Sequence, residues 1–117
     1  REVRGSVEDE VSVQGRVYVG DGSTIRRGAM VRGPATIGDN TVIEAHVYVG
    51  PYTSIGNNVV VRRGEIENSI VMDGCVIDVD VKITDSLIGA GSVVVSGGDS
   101  RPRGFRFVVG EHSKIVV

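Results

Sequence analysis

Large side chains are nearly missing from this chain. Trp is absent, and 117 residues hold two Phe, three Tyr and a single Leu, Leu87. A layered globule relies on rings and leucines to fill the space between its layers, so the interior here must be narrow. One cysteine, Cys75, excludes an internal disulfide and fits a reducing, cytoplasmic compartment. No apolar run reaches the length of a membrane span and no secretory leader is visible, so a membrane is not an expected partner. The formal charge is −2, which gives no global field to attract nucleic acid. The length suits one domain. The chain opens on Arg1 without a Met and reads as a piece of something longer.

What the chain does have is Val, Ile and Gly, in strict order. Every sixth residue from Val7 to Val61 is β-branched: Val7, Val13, Val19, Ile25, Val31, Ile37, Ile43, Val49, Ile55 and Val61. With Val, Ile and Leu near a third of the chain, chance gives ten such hits at about one in 10^5. Four residues after each hit comes a small or β-branched residue, among them Ser23, Ala29, Ala35, Thr41 and Thr53. A helix repeats near 3.6 residues and a simple strand every two, so a period of six is neither. Six residues suit one short strand and one tight corner. Three such units close a triangular coil of 18 residues, and coils stack at the sheet spacing of about 4.8 Å. The expected fold is all-β: a parallel β-helix of five to six coils, a triangular prism. Three residues after each hit come Glu10, Arg16, Gly22, Gly28, Pro34, Asn40, His46, Tyr52, Asn58 and Gly64, enriched in Gly and Asn as a corner with positive φ requires.

Three segments follow. Residues 1–6 read as a linker remnant, 7–95 as the β-helix, and 96–117 as a capping loop with one final hexapeptide. After Val61 two segments, 65–77 and 82–94, match each other at a spacing of 17, so one side of the triangle loses a residue, with altered corners expected at Asn68-Ser69 and Asp85-Ser86. Residues 96–107 break the beat with Gly, Pro and three Arg and carry Phe105 and Phe107. They are expected to cover the raw edge of the last coil.

Stacking at 18 turns the sequence into columns. His46 falls between Gly28 and Gly64, beside Arg27 and Arg63 and next to the column Arg26–Glu44–Arg62. Arginines that bind phosphate beside a histidine base form one reading; a solvated charged face is the plainer one. His112 stands three to four coils from His46, roughly 15–18 Å along the axis, so the two cannot share a metal ion with bonds near 2 Å. No metal site is expected. Asp73, Asp78, Asp80 and Asp85 lack the spacing of a calcium loop, and Cys75 sits at a small-residue position as buried filler.

The hexapeptides resemble left-handed β-helix proteins in general. Gly33-Pro-Ala-Thr-Ile-Gly-Asp-Asn, Val49-Gly-Pro-Tyr-Thr-Ser-Ile-Gly, Glu67-Asn-Ser-Ile-Val-Met and Asp85-Ser-Leu-Ile-Gly resemble, more narrowly, the C-terminal domain of long-form glucose-1-phosphate thymidylyltransferases and related sugar-nucleotide pyrophosphorylases. The resemblance covers nearly the whole chain and implies a left-handed coil. It also implies a preceding nucleotidyltransferase domain as partner, which holds the Gly-rich nucleotide loop and the carboxylates for Mg. No cofactor is expected in the present segment. The implied role is a non-catalytic assembly or regulatory domain that forms a homo-oligomer through its faces, Tyr18, Tyr48 and Tyr52 among them. A second reading is a hexapeptide-type sugar N-acyltransferase using acyl-coenzyme A, with His46 as base and Arg27 and Arg63 on a sugar phosphate. A third is a ligand-free scaffold.

Overall fold

The computed structural model describes residues 2–97, the backbone of 108–109, and 114–116. Among them there is no helix. The first coil holds β1 (Glu2–Val3), β2 (Ser6–Val7) and β3 (Ser12–Gln14); the second β4 (Val17–Val19), β5 (Thr24–Ile25) and β6 (Met30–Arg32); the third β7 (Ala35–Ile37), β8 (Val42–Ile43) and β9 (Tyr48–Val49). The fourth has β10 (Thr53–Ile55) and the long β11 (Val60–Glu67), and the fifth β12 (Ile70–Val71) and the long β13 (Val76–Thr84). The sixth has β14 (Leu87–Ile88) and β15 (Val93–Val95); β16 (Val108–Val109) and β17 (Lys114–Val116) begin a further turn. The first face stacks β1, β4, β7, β10, β12, β14 and β16; the second stacks β2, β5, β8, the start of β11, the start of β13, β15 and β17. β3, β6, β9 and the far ends of β11 and β13 make the third. All pairs are parallel, as in the left-handed β-helix of hexapeptide repeats.

The 18-residue spacing is the register itself: Val19 pairs Ile37, Ile37 pairs Ile55, Ile25 pairs Ile43, Ile43 pairs Val61 and Val31 pairs Val49. These aliphatics are fully buried, each contributing about 1.5–3 kcal/mol. The small-residue register lies inside as well, and its hydroxyls bond backbone between coils. Ser23 Oγ donates to Gly38 O (2.6 Å) and accepts from Thr41 N–H (2.9 Å); Thr41 Oγ1 donates to Gly56 O (2.8 Å) and accepts from Val59 N–H (3.1 Å). Among the described residues no buried side-chain polar atom lacks a partner. Cys75 is fully buried, donates its thiol to Gly89 O, and has its pKa pushed up by burial.

The corners explain the Ile-Gly-Asp/Asn-Asn signature. Asp21 N–H donates to Asp39 Oδ1 (2.9 Å), Asp39 N–H to Asn57 Oδ1 (2.8 Å) and Asn57 N–H to Asp73 Oδ1 (2.8 Å), so each side chain caps the coil before it. The glycine ahead of each must be bare: a Cβ on Gly38 would run into Asn57 Oδ1 and lie 2.7 Å from the Gly56 carbonyl. Glu10, Asn40, His46, Tyr52 and Asn58 hold φ between 54 and 65°, and Gly22 and Gly28 share their place.

Three differences from the sequence reading are physical, and one expectation falls outside the described residues. Glu2–Val3 already pairs Tyr18–Val19, so coiling begins before residue 7, inside the segment read as a linker. Val7, first of the six-residue series, is 36% exposed because no earlier coil covers it. Of the proposed cap, 96–107, all but Ser96 and Gly97 lie outside the described residues, and the paired positions Val109 and Ile115 resume the columns of Ile88 and Val94 beyond them. Finally, Ile55 pairs Val71, a coil of 16 rather than 17. One residue is lost at Asn68-Ser69, as expected; Val49 pairing Ile66 shows a second lost near Arg62-Arg63-Gly64.

Candidate functional site

That second loss opens the prism wall. In the first three coils the corner between the second and third faces is a tight turn on Glu10, Gly28 and His46, all at positive φ. In the fourth, β11 runs through the corner with register shifts on both sides of Arg63, and Gly64 takes φ 117°. In the fifth, β13 runs through as Ile77-Asp78-Val79-Asp80-Val81-Lys82-Ile83, apolar residues inward and polar outward. Val79, fully buried, fills the space that a turn occupies in earlier coils. A Cβ on Gly64 would lie 2.6 Å from Val79 Cγ2. Where tight corner meets open corner the surface is recessed, leaving a depression of about 360 Å³ lined by His46, Arg63, Gly64, Glu65, Val79, Asp80, Val81 and Lys82.

His46 is exposed, and its imidazole lies across Gly28, where any Cβ would strike the ring. Its backbone N–H donates to Arg27 O (3.3 Å). Arg63 Nε contacts Asp78 Oδ1 at 2.7 Å, and this hydrogen bond raises the guanidinium pKa further. Lys82 Nζ contacts Glu67 Oε1 at 2.7 Å, while Tyr48 donates its hydroxyl to Glu67 Oε2 (3.0 Å). The Lys82 hydrogen bond holds Glu67 below the usual glutamate range, against burial, which acts the other way. Burial first, then Glu67, pushes the Tyr48 phenol up.

The structure therefore brings His46 and Arg63 to one depression. Arg27 does not line it; its backbone N–H caps Glu8 Oε1 (2.9 Å) and its side chain is exposed. The column Gly28–His46–Gly64 assumed 18 residues per coil, and the deletion sets Gly64 out of the tight-corner series. Sequence reasoning missed Lys82, Glu65 and Asp80 as lining; the period-two run from Ile77 to Ile83 was the available signal. The four aspartates have structural partners: Asp73 caps Asn57, Asp78 meets Arg63, Asp80 Oδ1 accepts from Ser96 Oγ (2.8 Å) and Asp85 accepts from Asn68 (2.7 Å). Among the described residues no group of His, Cys, Asp and Glu converges to hold a metal ion. His112 lies outside those residues. Two cations, Arg63 and Lys82, stand against four carboxylates, Asp78, Glu67, Glu65 and Asp80, so the depression and its rim carry an excess of negative charge.

Residues 31–115 match the family model of the GMPPB C-terminal domain. The low-salt glycan biosynthesis nucleotidyltransferase Agl11 of Haloferax volcanii is 45% identical over 112 residues, covering 96% of this chain and 31% of that protein. The chain thus spans less than a third of that relative's length. A Bacillus cereus protein of known structure, described as an acetyltransferase, aligns at 16% identity with a TM-score of 0.39, over 99% of this chain and 76% of that one.

Proposed function

The chain belongs to the GMPPB C-terminal domain family, and from that premise we propose that it is the assembly domain of a sugar-1-phosphate nucleotidyltransferase, without a part in the bond-making step. The parent reaction on this reading joins a nucleoside triphosphate, dTTP by the sequence resemblance, to glucose 1-phosphate and releases diphosphate. The preceding domain supplies the nucleotide loop and the Mg site, in the cytoplasm.

The observation that carries the reading is the placement of apolar side chains outside a core that is already full. Ile70 and Leu87 are 51% and 41% exposed on the first face. Val42, Val60, Val76 and Val93 stand outward in a row on the second. Such surface is stabilised by contact with another protein surface. At the depression, by contrast, Arg63 and Lys82 are engaged by carboxylates, which compete with a phosphate.

The test joins mass and activity. The 117-residue chain is expected to self-associate in light scattering, to release no diphosphate from dTTP and glucose 1-phosphate, and to behave the same after His46→Ala. Coenzyme A release from acyl-coenzyme A with an aminosugar phosphate, abolished by His46→Ala, would replace this reading with acyl transfer.

A further inference from the structure

We infer that the second face is the one that self-associates, and that it does so as an antiparallel pair about a two-fold axis lying in the interface, parallel to the strands, between the third and fourth coils. This rests on the assembly reading above and adds the face, the partner, which is a second copy of this chain, and the symmetry.

Two outward columns run up that face. One is the row Thr24, Val42, Val60, Val76, Val93, joined rung to rung by the parallel register. The other follows the inward residue of each strand: Glu8, Arg26, Glu44 and Arg62, and then Asp78, which the shifted register sets opposite Arg63, its ion-pair partner at 2.7 Å. Its signs alternate from coil to coil. Arg26 bridges Glu8 (3.2 Å) and Glu44 (2.9 Å) within the chain, whereas Arg62 forms no ion pair among the described residues.

An axis parallel to the strands keeps each column facing itself and reverses its direction. Placed between the third and fourth coils, it sets Arg62 against Glu44 of the second copy, twice, and Arg26 against Asp78, twice. From the second coil to the fifth every rung meets its opposite sign, while Glu8 meets Val95, Val42 meets Val60 and Val76 meets Thr24. An interface with one self-complementary patch on both copies is the requirement for a closed two-fold dimer, and sign complementarity fixes its register. The other two faces lack this pattern. The first carries Glu2, Tyr18, Thr36, Ser54, Ile70 and Leu87, one charge with no opposite in its column to set a register, and the third mixes Met30 and Tyr48 with Glu65 and Lys82. Four rungs of short strands give a contact of roughly 19 by 15 Å. That is below the standard interface size, in the range of weak, transient contacts, so a concentration-dependent dimer is expected.

The experiment uses the whole chain at about 100 µM, a concentration chosen for an interface of this size. The unsubstituted protein should run as a dimer. Val60→Lys, outward and harmless to the core, should make it a monomer with unchanged circular dichroism, and Arg62→Glu should weaken the dimer several-fold. Ile70→Lys with Leu87→Lys should leave it intact. Copies carrying Val42→Cys mixed with copies carrying Val60→Cys should cross-link to each other far more than either does alone; Cys75 is buried and stays silent. A dimer that survives Val60→Lys but fails on Ile70→Lys with Leu87→Lys overturns the face and leaves assembly standing. Cross-linking of Val42→Cys copies among themselves overturns the antiparallel axis. A monomeric unsubstituted chain overturns both this inference and the assembly reading.

Discussion

Single residues in this fold are constrained mostly by the coil next to them. Gly38→Ala pushes a methyl into Asn57 Oδ1 and the Gly56 carbonyl, and should lower unfolding free energy by about 1–3 kcal/mol in urea titration. Thr36→Ala, two residues earlier and pointing outward, should change it by less than about 0.5 kcal/mol. Tyr52 holds φ 61° while 71% exposed, so Tyr52→Asn trades little packing for a residue that tolerates this conformation. A gain of about 0.5–1 kcal/mol is expected by the same titration. Glu67 has a folded pKa below its unfolded value, chiefly through the hydrogen bond from Lys82. Its contribution is therefore present above the ordinary glutamate range and fades as pH falls through the lower, folded value. In Glu67→Gln the urea midpoint should lose that part of its acid dependence while keeping the rest, measured as a pH series against the unsubstituted protein.

Among the elements, β11 and β13 are the ones that change the prism. At the same corner of the first three coils the chain turns on a left-handed residue, but these two strands run through it, and Val79 fills the interior as Gly64 yields to it. Gly64→Ala should cost more than Val79→Ala alone, because it meets both an unfavourable φ and a crowded Cβ. In the double variant the crowding goes and the φ strain stays, so a double-mutant cycle should show a coupling of about 0.5 kcal/mol or more. The corner at Asn68-Ser69 was readable, since two copies of the segment stood 17 residues apart. The loss near Arg62-Arg63-Gly64 was not. It occurs once, against a neighbour that had just kept the beat, and only pairing of Val49 with Ile66 exposes it. The depression beside His46 follows from that one deletion, which is why Arg63 lines it and Arg27 does not.

For the whole molecule, each coil touches only its neighbours, so stability should be graded along the axis. Hydrogen exchange is expected to be fastest in β1–β3 and slowest in the third and fourth coils. Ile43→Ala should cost about 2–5 kcal/mol, and Val7→Ala, at the open first coil, a small fraction of that. The sequence by itself determined the period, hence the triangular coil, the inward columns, and the corners that want Gly or Asn, because each is a local rule repeated at every turn and errors average out over ten repeats. Only the tertiary structure decided where coiling starts, which corner opens, which cation lines the recess, and that Asp78 stands opposite Arg63 above the column Arg26–Glu44–Arg62. Those depend on which residue stands above which, and one deleted residue moves every later member of a column relative to its neighbour.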